Sequence, residues 1–474
     1  MNKKEIATTP FLLFLCSIPF GEVNPIRSFP WLSLTKICFS LFLAYMLFQT
    51  IRGWRPPRDP RLIVPLIFFL GGVLLASALS GSKLISFKYF LRLLALATLS
   101  VITGWMMKRE GAGEKIFKVL LILAMILSLL GIYQTLSGRT VWNLGVYGAF
   151  GEMIAIFAPD TAGEISVVRG SSAFDHPNLF GTFLVAVLPF GVAALSGARG
   201  LPRKKILFSI VICVCLIALL FTFSRSAWLG LFAGLLVMLI FRRGSWIPKV
   251  AVLLVAAFAL SSVLLPAGGR IILWERSGAF PLIWLYMTGP VKIIQPYDVH
   301  RLYSYRAAWR MLYHSPLTGV GPGMFDRLYD RYKNPDEPLR QSSLHARDAH
   351  NSFLSLAAQG GLLTLLPFVY ILGATFFFLC RLLLSPPAGA AGNDIRAPVS
   401  SWTLAWAITA GLAALLVQSF FNSLEYQEIF WILIGAAGGI SRNAAPRPPA
   451  ARQGLRRGRN CVKKNSGDFR FNSI

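Results

Sequence analysis

Apolar stretches of about 20 residues recur along most of this chain, and they constrain its fold more than any other feature. Of the 474 residues, 55% are hydrophobic and 14% are charged, whereas an ordinary soluble domain carries about 25% charged residues. Stretches of this length suit helices, which satisfy their backbone hydrogen bonds inside a bilayer. The sequence therefore predicts an all-α polytopic membrane protein with about 12 transmembrane helices. The predicted spans are 9–22, 31–51, 62–80, 86–107, 116–136, 178–197, 205–223, 227–242, 248–266, 352–382, 402–421 and 427–441.

The predicted spans divide the chain into four parts. Residues 1–266 hold transmembrane helices one to nine, with an external loop near 137–177. Residues 267–350 form one large external loop that contains short helices. Residues 351–441 hold helices ten to twelve, and 442–474 form a basic tail that we expect to be disordered.

The short loops between the spans show a consistent charge bias. Lys and Arg residues follow spans two, four, six and eight, and they also dominate the tail. The positive-inside rule assigns these segments to the cytoplasm, so both termini are predicted to be cytoplasmic and the loop 267–350 external. This topology accounts for most of the net charge of +27. The basic tail alone therefore gives no reason to predict a nucleic-acid partner.

Arg225 lies inside an apolar stretch that runs from Ile206 to Phe241. The stretch is too long for one membrane crossing, so we predict that it folds back on itself with Arg225 at a buried bend. An arginine at membrane depth costs roughly 3 kcal/mol, so such a residue faces a cavity or an anionic partner. Arg225 thus indicates a site for a negatively charged substrate at the membrane surface.

The five histidines all lie in the two long external segments. His350 stands directly before span ten, and a neutral imidazole there can accept a proton from a hydroxyl group. A plain helix cap is the alternative role for this residue. His345, Asp348 and His350 lack the wider pattern of a metal site, so we predict no metal and no cofactor.

The loop 267–350 carries eleven Lys or Arg residues against seven Asp or Glu residues. Long loops cross the membrane largely regardless of charge, so an anionic ligand is one explanation for this excess. Arg301 precedes a predicted amphipathic helix at 303–313 and is a second anion-binding candidate, with a surface salt bridge as the alternative. Arg169 is a third candidate, in a segment that ends where residues 177–178 are predicted to cap span six.

Four motifs together resemble the O-antigen ligase/O-antigen polymerase family of bacterial membrane glycosyltransferases. The motifs are Arg169 through Asn178; Thr222-Phe223-Ser224-Arg225-Ser226-Ala227-Trp228; Arg301-Leu302-Tyr303-Ser304-Tyr305 leading into Pro316-Leu317-Thr318-Gly319-Val320-Gly321-Pro322-Gly323; and His350-Asn351 followed by nine residues, Gly361 and Thr364. The resemblance spans roughly 165–375. It departs from the family at Tyr305, where a tryptophan is common.

The resemblance implies a metal-independent, inverting transferase of the GT-C class, in the bacterial inner membrane with its active site on the periplasmic face. The donor would be a glycan on undecaprenyl diphosphate. Arg225 and Arg301 would bind the diphosphate, and His350 would act as general base on the acceptor hydroxyl. Supporting residues would be Arg169, Asn351 and Arg306, of which Arg306 is placed to take over the role of Arg301.

The sequence leaves two acceptors as alternatives. A ligase of lipopolysaccharide biosynthesis would transfer the glycan to lipid A-core, whereas a polysaccharide polymerase would join two lipid-linked glycans. Membrane lipid, a flippase and a chain-length regulator are further candidate partners. A transporter of lipid-linked sugars is an alternative from another class, but the ionisable residues gather at one face, which favours an enzyme over a transporter. Within the enzyme class, a transferase that attaches glycan to protein is a further alternative.

Overall fold

The structure of the protein is a computed structural model that describes most of the predicted spans and part of the large loop. The described residues are 8–20, 33–52, 60–109, 111–137, 153–157, 164–174, 176–198, 200–241, 296–333, 348–384 and 401–440. The predicted span 248–266 and the tail 442–474 lie outside them.

The described residues form helices at nearly all of the predicted spans. The α-helices are α1 Thr8–Ser17, α2 Leu34–Ile51, α3 Pro60–Leu79, α4 Lys83–Met107, α5 Ala112–Ser137, α6 Pro177–Gly197, α7 Pro202–Phe221, α8 Arg225–Phe241, α9 Pro296–His314, α10 Phe325–Tyr332, α11 Ser352–Leu384, α12 Ser401–Gln418 and α13 Glu428–Ile440. Eight of these helices are long and apolar enough to cross a membrane. Three shorter apolar helices, Thr8–Phe20, Arg225–Phe241 and Glu428–Ile440, match three further predicted spans. The prediction of an all-α polytopic membrane protein is therefore confirmed, while the number of twelve spans stays a prediction.

One feature of the external segment 137–177 was not predicted from the sequence. Strands β1 (Met153–Phe157) and β2 (Glu164–Val168) pair antiparallel, with Met153 opposite Val168 and Phe157 opposite Glu164. Each strand contains at least two β-branched residues, which suits a two-stranded ribbon. The pair leads directly into Arg169 and so places the start of the first motif.

Helices α12 and α13 occupy the interior of the bundle. Helix α12 packs against α6 and α8, α13 packs against α4, and α11 packs against α3. Small residues allow this close approach, because a Cβ on Gly234 would lie 2.9 Å from the Ala410 carbonyl oxygen. Trp406 is fully buried, and its indole N–H donates to the Met238 carbonyl at 3.1 Å.

The predicted site residues all lie at one end of the bundle, which we call the site end. The turn between α7 and α8, the connection between α12 and α13, and the first residues of α6 and α11 meet there. The predicted helix 303–313 is present as part of α9, which ends at His314 as expected. The boundaries 267–350 and 351–441 stay predictions.

Candidate functional site

Five segments form the candidate site. They are the loop 169–176 before α6, the turn 222–224, helix α9, the residues 348–352 at the start of α11, and the residues 419–427 between α12 and α13, which we call the connector. Hydrogen bonds join these segments to one another.

Unusual backbone conformations are concentrated in three of these segments. In the part of the chain that the structure describes, the non-glycine residues with positive φ are Ser172 at 56°, Phe223 at 51° and His350 at 48°. Such angles cost roughly 1–3 kcal/mol each and persist only where the surrounding structure holds them. All three residues fall within the motifs or directly beside a predicted site residue.

Arg169 is buried and ties the loop 169–176 to the turn 222–224. Its Nε–H donates to the Thr222 carbonyl at 2.9 Å, and its Nη2–H donates to Asn178 Oδ1 at 2.9 Å. The Gly170 N–H donates to the Phe221 carbonyl at 2.9 Å. Only 8% of Arg169 is exposed. The structure therefore uses this guanidinium to hold protein segments together.

Arg225 has the opposite surroundings. The sequence predicted a buried arginine at a bend, and the bend is present, because α7 ends at Phe221 and α8 begins at Arg225. The predicted burial is wrong: Arg225 itself is exposed, while Ser224 and Ser226 on either side are buried. The two serines pack into the protein, so the helix start directs the charged residue outward. Arg225 thus presents its guanidinium at the surface of the site end.

The first turn of α6 is capped one residue earlier than predicted. The sequence predicted the cap at residues 177–178, but helix α6 begins at Pro177 and its N-cap is His176. The Nδ1 atom of His176 accepts a hydrogen bond from the Asn178 N–H at 3.0 Å. Proline suits the first helical position, because its fixed φ is helical and the N–H that it lacks would have no partner there. The residue before Pro177 is therefore the N-cap.

Asn351 caps helix α11. Its Oδ1 accepts from the N–H groups of Phe353 and Leu354, both at 3.0 Å, and its Nδ2 donates to the Phe420 carbonyl at 3.2 Å. These bonds satisfy two of the unpaired donors at the helix start. The alternative role considered for His350 thus belongs to its neighbour. His350 stands just outside the helix and is half-buried.

Helix α9 touches the start of α11 through Tyr305. The Tyr305 hydroxyl donates to the Phe420 carbonyl at 3.0 Å and lies 3.5 Å from the His350 carbonyl oxygen. Burial raises the pKa of Tyr305, and the positive charge of Arg301 partly opposes this shift. Arg301 precedes Tyr305 by one turn and shares its face, whereas Arg306 is rotated from Arg301 by about 140°. The geometry therefore brings Arg301, and not the exposed Arg306, toward His350.

Helix α11 is broken at Gly361, where φ is 64° and ψ is −167°. The segment 315–323 after α9 fills the break. The N–H groups of Val320 and Gly321 donate to the carbonyls of residues 358 and 359, at 2.9 and 3.0 Å, and Leu362 N–H donates to the Pro316 carbonyl at 2.8 Å. A Cβ on Gly361 would collide with the backbone of residue 317. The break explains why a glycine stands at this spacing from His350 and Asn351.

The connector 419–427 was missed from the sequence. Ser352 joins it to α11: its N–H donates to the Ser419 carbonyl at 2.8 Å, and its hydroxyl donates to the Asn422 carbonyl at 3.0 Å. Asn422 Nδ2 donates to Ser226 Oγ at 3.2 Å, next to Arg225. The connector thus links α8 with the start of α11. Its polar residues between two apolar spans were the available signal.

Glu425 in the connector is completely buried. Burial, and then the negative charge of Asp348, raise the pKa of the Glu425 carboxyl to about 8, although the hydroxyl groups of Ser355 and Ser352 lower it in part. Asp348 itself accepts hydrogen bonds from the Ser423 hydroxyl at 2.8 Å and from the Ala349 N–H at 2.7 Å. The surroundings of the Glu425 carboxyl therefore favour its protonated form.

The chain is similar to one described protein family over its central part. Residues 207–369 match the model of a family described as O-antigen ligase. The matched part includes Arg225, Arg301, His350 and the break at Gly361, whereas Arg169 and the connector lie outside it. No curated protein matches the chain. The family match confirms the resemblance that the motifs indicated.

Proposed function

The match of residues 207–369 to the O-antigen ligase family supports a glycosyltransferase role of the ligase or polymerase kind, and we propose that this protein is a ligase. In this proposal it moves a glycan from undecaprenyl diphosphate to a sugar hydroxyl of lipid A-core. The reaction takes place at the periplasmic face of the inner membrane, without a metal ion. Hydrogen bonds between neighbours of Arg225, Arg301 and His350 carry the proposal, because they bring the three segments that hold these residues together at one end of the bundle.

Arg225 and Arg301 bind the donor diphosphate. A guanidinium stays charged and forms paired hydrogen bonds with phosphate oxygens, so it suits this group. Arg225 is exposed and is the first residue of α8, where the helix dipole also favours negative charge. As the glycan leaves, negative charge builds up on the diphosphate, and two fixed cations stabilise that charge.

His350 acts as general base. A neutral imidazole takes the proton of the acceptor hydroxyl while the hydroxyl oxygen forms the new bond to the anomeric carbon. The bond from that carbon to the diphosphate oxygen breaks, and the diphosphate leaves with the electron pair. One displacement from the opposite face inverts the anomeric configuration. Asn351 supports this role because it caps α11 and so fixes the position of the preceding residue.

The alternative function is a polymerase that joins lipid-linked repeat units by the same chemistry. The donor site and the base are identical in the two proposals, and only the acceptor differs. The pattern of His350-Asn351 followed by nine residues and Gly361 favours the ligase.

Glycan transfer in a reconstituted system tests the proposal. Purified wild type, Arg225→Ala, Arg301→Ala and His350→Ala receive undecaprenyl diphosphate-linked glycan, with or without lipid A-core. Transfer to lipid A-core that falls by about 10²-fold or more in each variant supports the ligase. Arg306→Ala is the matched control on α9 and should retain activity.

Other outcomes are equally informative. Elongation of lipid-linked glycan without lipid A-core would make the protein a polymerase. Folded wild type that transfers nothing to either acceptor, but moves lipid-linked glycan across vesicles, would make it a transporter. Loss of activity in Arg306→Ala but not Arg301→Ala would exchange the roles of those two residues.

A further inference from the structure

The start of helix α4 carries three exposed cations, Lys83, Lys88 and Arg92. Helix α4 follows α3 after a connection of only three residues, 80–82, and no acidic residue occurs between Asp59 and Glu110. In the proposed orientation Lys83 lies in the short external connection before the predicted span 86–107, and Lys88 and Arg92 lie in the external part of that span, whereas Lys and Arg normally gather on the cytoplasmic side. The positive-inside rule therefore does not explain these cations, and an anionic ligand would.

The start of α4 borders the candidate site. The Arg92 guanidinium lies 5.2 Å from the centre of the Tyr426 ring, and its Nη2–H donates to the Tyr426 carbonyl at 3.4 Å. Tyr89 packs edge-on against the same ring at 5.7 Å, and the backbone at Gly323 lies against Tyr89. Tyr426 belongs to the connector, and Gly323 belongs to the segment that fills the break in α11. Arg92 and Tyr89 therefore place this part of α4 next to both segments that hold the start of α11.

Exposed apolar side chains share this length of helix with the cations. Leu84 is 84% exposed, and Phe87 and Leu91 are each 47% exposed. Residues three and four apart lie on one face of a helix, so Leu84, Lys88 and Leu91 are neighbours on the surface. A face that combines cations with apolar side chains matches a lipid whose head carries phosphate.

We propose that the start of α4 binds the phosphate-bearing head of the acceptor lipid, separately from the donor diphosphate at Arg225 and Arg301. This inference rests on the proposed function. Both acceptors considered above, lipid A-core and a second lipid-linked glycan, are anionic amphiphiles. One guanidinium N–H of Arg92 is used by Tyr426, and a guanidinium has five N–H groups, so donors are left for a phosphate.

Acceptor kinetics in vesicles of zwitterionic lipid test the inference. The double variant Lys88→Gln/Arg92→Gln is compared with Lys204→Gln/Lys205→Gln, which changes two exposed lysines at the start of α7, at the other end of the bundle. We expect the KM for lipid A-core to rise about tenfold or more in the first variant only. The KM for the donor and kcat at saturating acceptor should stay unchanged, because the ligand is bound equally before and during the reaction.

Dephosphorylated lipid A-core separates the phosphate from the rest of the acceptor. Wild type should show the same rise in KM with this acceptor, and the double variant should show no further rise. An unchanged KM for the phosphorylated acceptor, or an equal effect of the substitutions on both acceptors, would overturn the inference. A rise in the KM for lipid A-core that appears only when anionic phospholipid is present would show that the cations bind bulk lipid, and it would also overturn the inference. If wild type transfers nothing, the proposed function itself fails; if it transfers glycan and the variant matches it, only this inference fails.

Discussion

Arg169 and Arg225 both lie at the turn between α7 and α8, but one side chain is buried and the other is exposed. Arg169 is buried and donates to Thr222 and Asn178, while Arg225 begins α8 and is exposed. A buried guanidinium whose donors reach protein acceptors contributes to the fold. The exposed guanidinium of Arg225 lies at the surface of the site end, where we propose that it binds the donor diphosphate. The comparison indicates that Arg169 stabilises the turn, while Arg225 in the next motif places its charge at the surface.

The same division separates the two halves of the α11 motif. Asn351 and Gly361 are committed to structure, since Asn351 caps the helix and Gly361 allows the break that the segment 315–323 fills. His350, between the cap and the large loop, is half-buried. His350 and Arg225 thus each lie next to residues that stabilise the local backbone. Substitutions of the two kinds of residue should therefore separate loss of stability from loss of glycan transfer.

Gly361→Ala should have the largest effect on stability. Alanine would have to adopt a positive φ of 64° and its Cβ would collide with the backbone of residue 317, so we expect a loss of at least about 3 kcal/mol in the free energy of unfolding. Gly373→Ala, in the same helix where a Cβ meets nothing within 4 Å, is the matched control and should not destabilise. Thermal unfolding in detergent measures both. Equal unfolding temperatures would show that the break does not depend on this glycine.

Arg169→Ala and Arg225→Ala should produce opposite results. Removal of Arg169 leaves the buried Thr222 carbonyl and the half-buried Asn178 side chain without this donor, so we expect a loss of about 2–3 kcal/mol in stability. Arg225→Ala should leave the unfolding temperature nearly unchanged and lower kcat by about 10²-fold or more. The comparison fails if Arg225→Ala is the less stable protein.

The sequence predicted the helices well but not the assignment of these two arginines. Span positions follow from apolar length, which is a local property, and so α4, α6 and α11 begin within a few residues of the predicted starts. Whether an arginine is buried depends on which loop folds against it, and that is a tertiary property. For the same reason the connector was missed, because its role depends on contacts with residues far away along the chain.

Glu425→Gln should change the pH dependence of stability. In the unfolded chain this carboxyl has its ordinary pKa of 4.5, and in the folded protein burial and Asp348 raise the pKa to about 8. Between these values the folded state holds a proton that the unfolded state has released, so the free energy of unfolding falls as pH rises from 4.5 to about 8. Glutamine holds no such proton, so the variant should lack this fall.

Unfolding temperatures between pH 5 and 9 measure the difference. From pH 5 to about 8, the free energy of unfolding of Glu425→Gln should rise relative to that of wild type by up to about 1.4 kcal/mol for each pH unit. This difference should stay constant above pH 8. Glu428→Gln, three residues further on at the start of α13, should keep the wild-type slope. Parallel curves for Glu425→Gln and wild type would show that the Glu425 carboxyl is ionised in the folded protein.

Asn351→Ala should have a small effect on stability and an informative effect on activity. Loss of a helix cap costs about 1 kcal/mol, and the Phe420 carbonyl keeps the Tyr305 hydroxyl as a donor. The positive φ of His350 depends on the cap that follows it, so kcat should fall by more than the loss of stability alone would cause. Asn351→Ser restores the cap but not the bond to Phe420. If Asn351→Ser recovers both stability and kcat, the cap alone positions His350; if it recovers stability only, the bond to the connector is required as well.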